Sequence, residues 1–174
     1  MLLPAGIRLH VFLVLSLFGG EVLQRTNAQG EIVDFSCGWN RYLTQITSTY
    51  NGYDRNWSFG CQPLAAGILI GDCDWTGYIN SYDNFFSYVC PNNGLLNGFR
   101  SVYDIYYRDR RWEVQCCPII NRGREQCHFT DYLNSYGSSF EYTVPHGEFV
   151  RGIRSTYAEL ENDRRYAYEV CEFS

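Results

Sequence analysis

The residues of this chain that could do chemistry are charged pairs that recur at a fixed spacing. Asp54-Arg55, Asp109-Arg110 and Asp163-Arg164 share the same two letters, and an aromatic residue follows each arginine by two positions. If each pair opens an extended strand, the arginine and that aromatic ring share one face of the strand. A buried arginine needs partners for its five donors. We therefore expect these arginines to stack on aromatic planes and to bond backbone carbonyls or the adjacent aspartate, with contact to a ligand as the alternative. The repeated motif comprises Asp54, Arg55, Trp57, Asp109, Arg110, Trp112, Asp163, Arg164 and Tyr166.

A second group of arginines lies outside the repeated Asp-Arg pairs. Ten of the 12 arginines after residue 28 lie between Arg100 and Arg165, although the chain is acidic overall. Guanidinium groups hold sulfate or carboxylate in a two-pronged geometry, so this clustering favours a positive surface for a sulfated polysaccharide. The competing interpretation is that these arginines pair with nearby carboxylates and form an ordinary solvated surface. The candidate ligand-binding residues are Arg108, Arg111, Arg151, Arg154 and Arg165.

The first copy of the motif differs at one outward position. Arg111 and Arg165 follow the Asp-Arg pair in the second and third copies, whereas the first copy has Asn56 there. Asn56-Trp57-Ser58 is an N-glycosylation sequon. We expect a glycan at Asn56 where the other copies carry cations.

Enzymatic chemistry finds little support in the sequence. His128 and His146 are the only histidines after residue 28, and neither a Gly-x-Ser-x-Gly elbow nor a His-Glu-x-x-His helix motif is present. Asp72, Asp74 and Asp83 lie near one another in sequence but do not form a calcium loop. We predict a non-enzymatic protein with no catalytic residue, no metal and no cofactor.

The elements that carry these residues are predicted to be one supersecondary unit used three times. The aromatic residues of the motif are separated by 55 and 54 residues, and a repeat of that length is typical of such a unit. Alternating stretches precede and follow each motif, so each unit contains at least three short strands. We predict a single all-β domain with pseudo-threefold symmetry, β-prism-like, with a β-trefoil as the alternative. The units span about 33–63, 86–118 and 140–174 within a domain of residues 29–174.

The first 28 residues have the pattern of a secretory signal peptide. Arg8 and His10 precede the apolar run Val11–Phe18, and small residues lead to Ala28. That run of 8 residues is far shorter than the roughly 20 needed to span a bilayer, so no transmembrane segment is predicted. Cleavage after Ala28 leaves 12 basic and 18 acidic residues, a net charge of −6. A secreted acidic chain argues against nucleic acid as a partner.

The cysteines predict a disulfide framework. All 8 cysteines follow the leader, and an even number in a secreted chain indicates four disulfides. Cys37 with Cys61 closes the first unit, and Cys90 should pair with Cys116 or Cys117. Neighbouring residues of a strand point to opposite faces, so Cys116 and Cys117 need different partners. The remaining cysteines are Cys73, Cys127 and Cys171.

Several strings together resemble the dermatopontin family. They are Asp-Arg-Asn-Trp-Ser-Phe-Gly-Cys at 54–61, the segment 109–117 that ends in a cysteine pair, its degenerate copy at 163–171, and Cys90-Pro91 followed by Gly-Phe-Arg-Ser at 98–101. The resemblance covers residues 33–174. It implies the disulfide pairs Cys37–Cys61, Cys73–Cys116, Cys90–Cys117 and Cys127–Cys171.

The resemblance also implies a function. Members of the family are secreted matrix proteins that support cell adhesion and collagen fibril assembly and bind decorin or dermatan sulfate, and invertebrate relatives include haemagglutinins. Two departures are that this chain lacks the acidic, tyrosine-dense tail of vertebrate members and one of their disulfides, which favours an invertebrate-type, lectin-like member.

The sequence and the resemblance together predict a secreted, non-enzymatic extracellular matrix or cell-adhesion protein. Its predicted partner is a sulfated glycosaminoglycan or a proteoglycan, with collagen and cell-surface glycans as further partners. The alternative is a soluble lectin or haemagglutinin-type defence protein with shallow, threefold-related sugar pockets lined by Tyr and Trp. A membrane-active toxin on the same scaffold comes third. The sequence does not specify the oligomeric state.

Overall fold

A computed structural model describes residues 32–121 and 126–173, together with the backbone of Gln24 and Arg25. The predicted signal peptide, residues 1–28, lies outside the described residues apart from those two. The described part of the chain is all-β, as predicted. It contains no helix, and so no helix long and apolar enough to cross a membrane. The strands are β1 (Gln24–Arg25), β2 (Ile32–Ser36), β3 (Arg41–Tyr50), β4 (Arg55–Pro63), β5 (Asp74–Trp75), β6 (Phe86–Val89), β7 (Leu95–Asp104), β8 (Asp109–Cys117), β9 (Cys127–Phe129), β10 (Phe140–Thr143), β11 (Glu148–Ala158) and β12 (Asp163–Glu172).

The strands form three four-stranded antiparallel sheets, each built on one long hairpin. Sheet 1 has the order β1-β4-β3-β10, sheet 2 the order β2-β7-β8-β5, and sheet 3 the order β6-β11-β12-β9. Alternate residues of each hairpin are buried, as in β8, where Arg110, Trp112 and Val114 face inward. The period-two pattern of the sequence therefore places one face of every hairpin against a core.

The three units are interlocked by strand exchange. The strand that opens each unit pairs with the hairpin of the following unit: β2 with β7, β6 with β11, and β10 with β3. The last of these contacts returns from the third unit to the first and closes the circle. Three sheets joined in this cyclic way are consistent with the predicted prism-like arrangement.

Each hairpin has a bulge at the same place, and one glycine lies at or opposite each bulge. The register shifts between Leu43 and Gln45, between Leu96 and Gly98, and between Val150 and Gly152. A Cβ on Gly98 would lie 2.7 Å from the carbonyl oxygen of Phe35, so a side chain does not fit there. The glycine and the glutamine that face each other at the bulge are exchanged between the strands of unit one and unit two. Gln45 on β3 faces Gly60 on β4, whereas Gly98 on β7 faces Gln115 on β8.

The core is centred on the aromatic residue of each motif. Trp57, Trp112 and Tyr166 are at most 2% exposed. Their ring centroids are 5.0, 4.9 and 6.0 Å apart, and the ring planes meet at 78–84°. Edge-to-face contacts of this kind suit the ring quadrupole. These three residues belong to the main hydrophobic core.

Two of the four disulfides differ from those that the family resemblance implied. Cys37–Cys61 and Cys127–Cys171 form as expected. The other two pairs are Cys90–Cys116 and Cys73–Cys117, so the implied pairs Cys73–Cys116 and Cys90–Cys117 are wrong. The physical reason is the repeat itself. Cys116 occupies the inward position of Cys61, and so it meets Cys90, the counterpart of Cys37. Cys117 points to the other face and meets Cys73, just as Cys171 meets Cys127.

Candidate functional site

The segment before the second unit lies across the outer strand of its hairpin. Thr76 accepts a hydrogen bond from the backbone N–H of Val114 at 3.0 Å. Asn80 donates to the carbonyl of Arg110 at 2.9 Å and accepts from the backbone N–H of Trp112 at 2.8 Å. Backbone N–H groups of Thr76 and Ile79 also donate to the carbonyls of Val114 and Trp112, at 2.9 and 2.8 Å. Side chains and backbone of this segment together satisfy the edge of β8.

The segment before the third unit repeats this arrangement. Thr130 accepts from the N–H of Tyr168 at 3.1 Å, while Asn134 donates to the carbonyl of Arg164 at 2.9 Å and accepts from the N–H of Tyr166 at 3.0 Å. The reason is a second repeated string, Thr-x-Tyr-x-Asn-Ser-Tyr, at 76–82 and again at 130–136. Sequence reasoning missed the string because both copies lie outside the predicted units, although its spacing of 54 residues matches the motif spacing.

The tyrosines of the segment before the second unit contact arginines on the outer face of sheet 2. The guanidinium carbon of Arg111 lies 3.9 Å from the ring centroid of Tyr78 and 5.0 Å from that of Tyr82. Arg100 stacks on Trp75 at 4.0 Å. We call these five residues the unit-two ladder, since cations and rings alternate along it.

The equivalent residues form a unit-three ladder on sheet 3. Arg165 lies 4.5 Å from the ring centroid of Tyr132 and 4.8 Å from that of Tyr136. Arg154 lies 4.6 Å from the ring of Phe129 and 5.4 Å from Tyr132. Two of the predicted ligand-binding arginines are thus brought together on one tyrosine.

The ladder arginines at the motif position have no carboxylate partner among the described residues. Arg111 and Arg165 take part in no ion pair and no hydrogen bond there, and the Nε atom of each is buried. Both side chains remain partly exposed. Arg100 differs, because it pairs with Asp34 at 3.1 Å on the surface. The solvated-surface interpretation therefore does not describe Arg111 or Arg165.

The Asp-Arg pairs form a closed ring of buried ion pairs between units. Arg55 binds Asp163, Arg110 binds Asp54, and Arg164 binds Asp109, each through two hydrogen bonds of 2.5–2.7 Å. All six side chains are at most 8% exposed. The expectation of a bond to the adjacent aspartate is wrong, since each arginine reaches the aspartate of the preceding unit. Strand exchange causes this, because it places neighbouring hairpins side by side around the axis.

The other expected partners of these arginines are present. Arg55 donates to the carbonyl of Ser138 at 3.0 Å, and Arg164 donates to that of Asn84 at 3.1 Å. Arg55 also lies 5.5 Å from the ring of Tyr50. The ring carries equal numbers of charges of each sign and is buried, so it stabilises the centre of the fold and offers no cation to a ligand.

The three hairpin turns surround the mouth of this ring. The hydroxyl of Tyr103 donates to the carbonyl of Tyr53 at 3.1 Å, and that of Tyr157 donates to the carbonyl of Tyr107 at 3.2 Å. Burial, together with the nearby carboxylates of Asp83 and Asp109, raises the pKa of Tyr157 to about 12. The cavity at the mouth has a volume of about 20 Å³, which is room for one water and not for a sugar.

Two of the predicted ligand-binding arginines lie apart from the ladders. Arg108 is exposed at the mouth of the ring, in a turn with a φ of 52°. Arg151 sits at the bulge of β11 and donates to Glu169 at 2.7 Å. The five candidates therefore occupy different environments, and only Arg111, Arg154 and Arg165 belong to the ladders.

Among the described residues, sheet 1 carries no ladder. Thr47 on β3 and Asn56 on β4 replace the two arginines, and their cross-strand partners are Ser58 and Thr49. Beside them Gln45 donates to Glu141 at 2.6 Å. Asn56 is partly exposed on the outer face, and its Oδ1 atom is buried without a hydrogen-bond partner. Glycosylation at Asn56 stays a prediction.

A groove runs beside the unit-two ladder. Its volume is about 150 Å³, and its lining includes Tyr78, Val102 and Ile32 with the carboxylates of Asp34 and Glu113 at the rim. Apolar and aromatic surface with a few polar groups is the usual lining of a small-ligand site. Sequence reasoning did not place this groove, because its walls come from strands of two units. Among the described residues, no group of three or more His, Cys, Asp or Glu side chains could hold a metal ion.

Comparison with known proteins agrees with the resemblance in the motifs. Residues 26–174 match the family model described as Dermatopontin. The hemagglutinin/amebocyte aggregation factor of Limulus polyphemus is 29% identical over 143 residues, covering 80% of this chain and 81% of that protein. Dermatopontin of Biomphalaria glabrata is 28% identical over 148 residues, covering 84% and 98%. Millepora cytotoxin-1 of Millepora dichotoma is 29% identical over 153 residues, covering 87% and 68%. No solved structure matches this chain. On the family match and the shared motifs, this chain belongs to the dermatopontin family.

Proposed function

We propose that this chain is a secreted, non-enzymatic protein of the extracellular matrix that binds sulfated glycosaminoglycans or the proteoglycans that carry them. The observation that supports this most is the pair of equivalent arginines, Arg111 and Arg165. Each is held between two tyrosine rings and has no carboxylate partner among the described residues. In an acidic protein, unpaired and ordered cations at equivalent places are suited to an anionic ligand.

The two tyrosine rings that contact Arg111, and the two that contact Arg165, make each arginine a better ligand for sulfate in two ways. Stacking between rings fixes the guanidinium plane, so little rotamer entropy is lost when the ligand binds. The rings also exclude water from the faces of the cation, while its partly exposed edge stays available for a two-pronged bond to a sulfate. Since the chain is acidic as a whole, the attraction is local to the ladders.

An extracellular location is supported by three independent features. Four disulfides are typical of an oxidising compartment. The sequence pattern of residues 1–28 predicts a signal peptide, and several relatives are named dermatopontin. Cell adhesion and contact with collagen are proposed with the same role.

A lectin or haemagglutinin function is the second candidate, favoured by the groove beside the unit-two ladder. Its volume of about 150 Å³ suits one sugar ring, and Tyr78 offers an aromatic wall. The relative from Limulus polyphemus is named a hemagglutinin. A neutral sugar would then inhibit agglutination. Agglutination by a matrix protein would be inhibited only by a sulfated polymer and by salt.

The test is heparin affinity of a double variant, Arg111→Gln with Arg165→Gln. Charge-assisted hydrogen bonds contribute about 1.5–3 kcal/mol each, so the double variant should bind at least about 10-fold more weakly. Wild-type binding should fall with salt, with roughly one counterion released per sulfate contact. Arg108→Gln is the control for loss of charge away from the ladders, and it removes one positive charge where the double variant removes two. Equal loss in the control, or no loss in the double variant, would contradict the proposal.

A further inference from the structure

The two ladders lie on separate sheets and face in different directions. Arg111 is on β8 of sheet 2, and Arg165 is on β12 of sheet 3. The inward faces of these strands meet in one core, where the rings of Trp112 and Tyr166 are 6.0 Å apart. Side chains alternate along a strand. Arg111 and Arg165 each precede one of those two aromatic residues, so their side chains point away from that core. The two ladders therefore lie on the outer faces of two different sheets.

The two ladders are also chemically matched. The rings that clamp Arg111 and Arg165 come from the same string, and both cations lack a carboxylate partner among the described residues. On sheet 1 the equivalent positions hold Thr47 and Asn56, and Glu141 lies nearby. The outer face of sheet 1 therefore offers an anion no clamped cation in the part of the chain that the structure describes.

We propose that each chain carries two equivalent, independent sites for a sulfated glycan, so that a single molecule bridges two glycan chains without self-association. This inference rests on the proposed function, because it assigns a valency to the ladders. Two sites on one rigid body convert weak binding into retention on a surface that displays many ligands. They also let one molecule join two surfaces. Matrix cross-linking and cell agglutination would then be two results of the same geometry.

The experiment counts ligands per chain by calorimetry with a heparin tetrasaccharide. The wild type should bind about two per chain with one affinity, as expected for equivalent sites. Arg111→Gln and Arg165→Gln should each bind about one per chain with that same affinity, and Arg108→Gln should still bind about two. Near-UV circular dichroism of every variant checks that the fold is intact.

The second readout is agglutination of heparin-coated beads at a protein concentration where sedimentation shows single chains. The wild type and Arg108→Gln should agglutinate the beads, while each single ladder variant should coat them without joining them. No tetrasaccharide binding by the wild type would overturn the proposed function itself. Binding of one tetrasaccharide per chain, loss of all binding in a single variant, or agglutination by single variants would overturn only the bivalence.

Discussion

Replacing Arg110 by methionine tests the ring of ion pairs at the centre of the fold. Arg110 donates two hydrogen bonds to Asp54, at 2.6 and 2.5 Å, and the side chains are 3% and 8% exposed. Methionine has a similar length but no charge, so Asp54 would stay buried without its cation. Removing one partner of a buried pair costs about 3–5 kcal/mol.

Urea denaturation followed by tryptophan fluorescence measures this loss, because Trp57 and Trp112 lie in the core. With a urea m-value of about 2 kcal/mol/M, a loss of 3–5 kcal/mol lowers the midpoint by about 1.5–2.5 M. Arg100→Met is the matched control. Its pair with Asp34 is exposed, with side chains 44% and 64% accessible, and such pairs are worth at most about 1 kcal/mol. A loss at Arg110 no larger than in the control would refute the reasoning.

Double variants show which aspartate each arginine uses. Replacing a buried ion pair by apolar residues is often nearly neutral, so adding Asp54→Leu to Arg110→Met should restore much of the lost stability. Asp163→Leu should restore Arg55→Met, although Asp54 is the neighbour of Arg55 in sequence. Rescue of Arg55→Met by Asp54→Leu instead would refute pairing between units.

Three further predictions follow from the described contacts. Peptide mapping of the unreduced protein should recover Cys73–Cys117 and Cys90–Cys116, and recovery of Cys73–Cys116 would contradict the structure. Asn134→Ala should lower the free energy of unfolding by about 1–3 kcal/mol, because two buried backbone groups lose their partner, whereas Asn84→Ala, at an exposed position without a positive φ, should leave it unchanged within error. Because burial raises the pKa of Tyr157 to about 12, the native state holds its proton longer than the unfolded chain does. Its contribution to stability should be complete below the unfolded pKa of about 10 and be lost as the pH rises to about 12; stability that is constant across this window would show that the shift is absent.

The sequence was sufficient for features that depend on local alternation. A period of two residues around Trp57, Trp112 and Tyr166 predicted strands and a shared core, because alternate residues of a strand face the same side. The same reasoning predicted that Arg55 and Arg164 would need rings and backbone carbonyls, and both have them. The spacing of the copies predicted three units.

Features that depend on how the units meet were not predicted. The partner of Arg55 is Asp163, which is 108 residues away in the chain, and only strand exchange brings the two together. Arg151 and Glu169 meet within one hairpin, across a bulge that shifts the register. Nothing in the sequence near either arginine identifies its carboxylate, since charge pairing depends on distance in space.

Two other errors had a usable signal. The equivalence of Cys90 and Cys116 with Cys37 and Cys61 contains the correct disulfide pairing, but the family pattern was followed in its place. The clamping tyrosines occur in a string repeated at 76–82 and 130–136. Both copies of this string lie between the predicted units, but they recur at the same spacing as the motif.

The most direct test of the ladders is an NMR titration that follows the side-chain Nε–Hε signals of the arginines as a heparin tetrasaccharide is added. Single arginine-to-lysine variants assign the signals, because each removes one Nε–Hε resonance and keeps the positive charge. The signals of Arg111 and Arg165 should move together with increasing ligand, while those of the buried ring arginines, Arg55, Arg110 and Arg164, should stay in place. Movement confined to Arg108 at the mouth of the ring, with Arg111 and Arg165 unchanged, would contradict the assignment of glycan binding to the ladders.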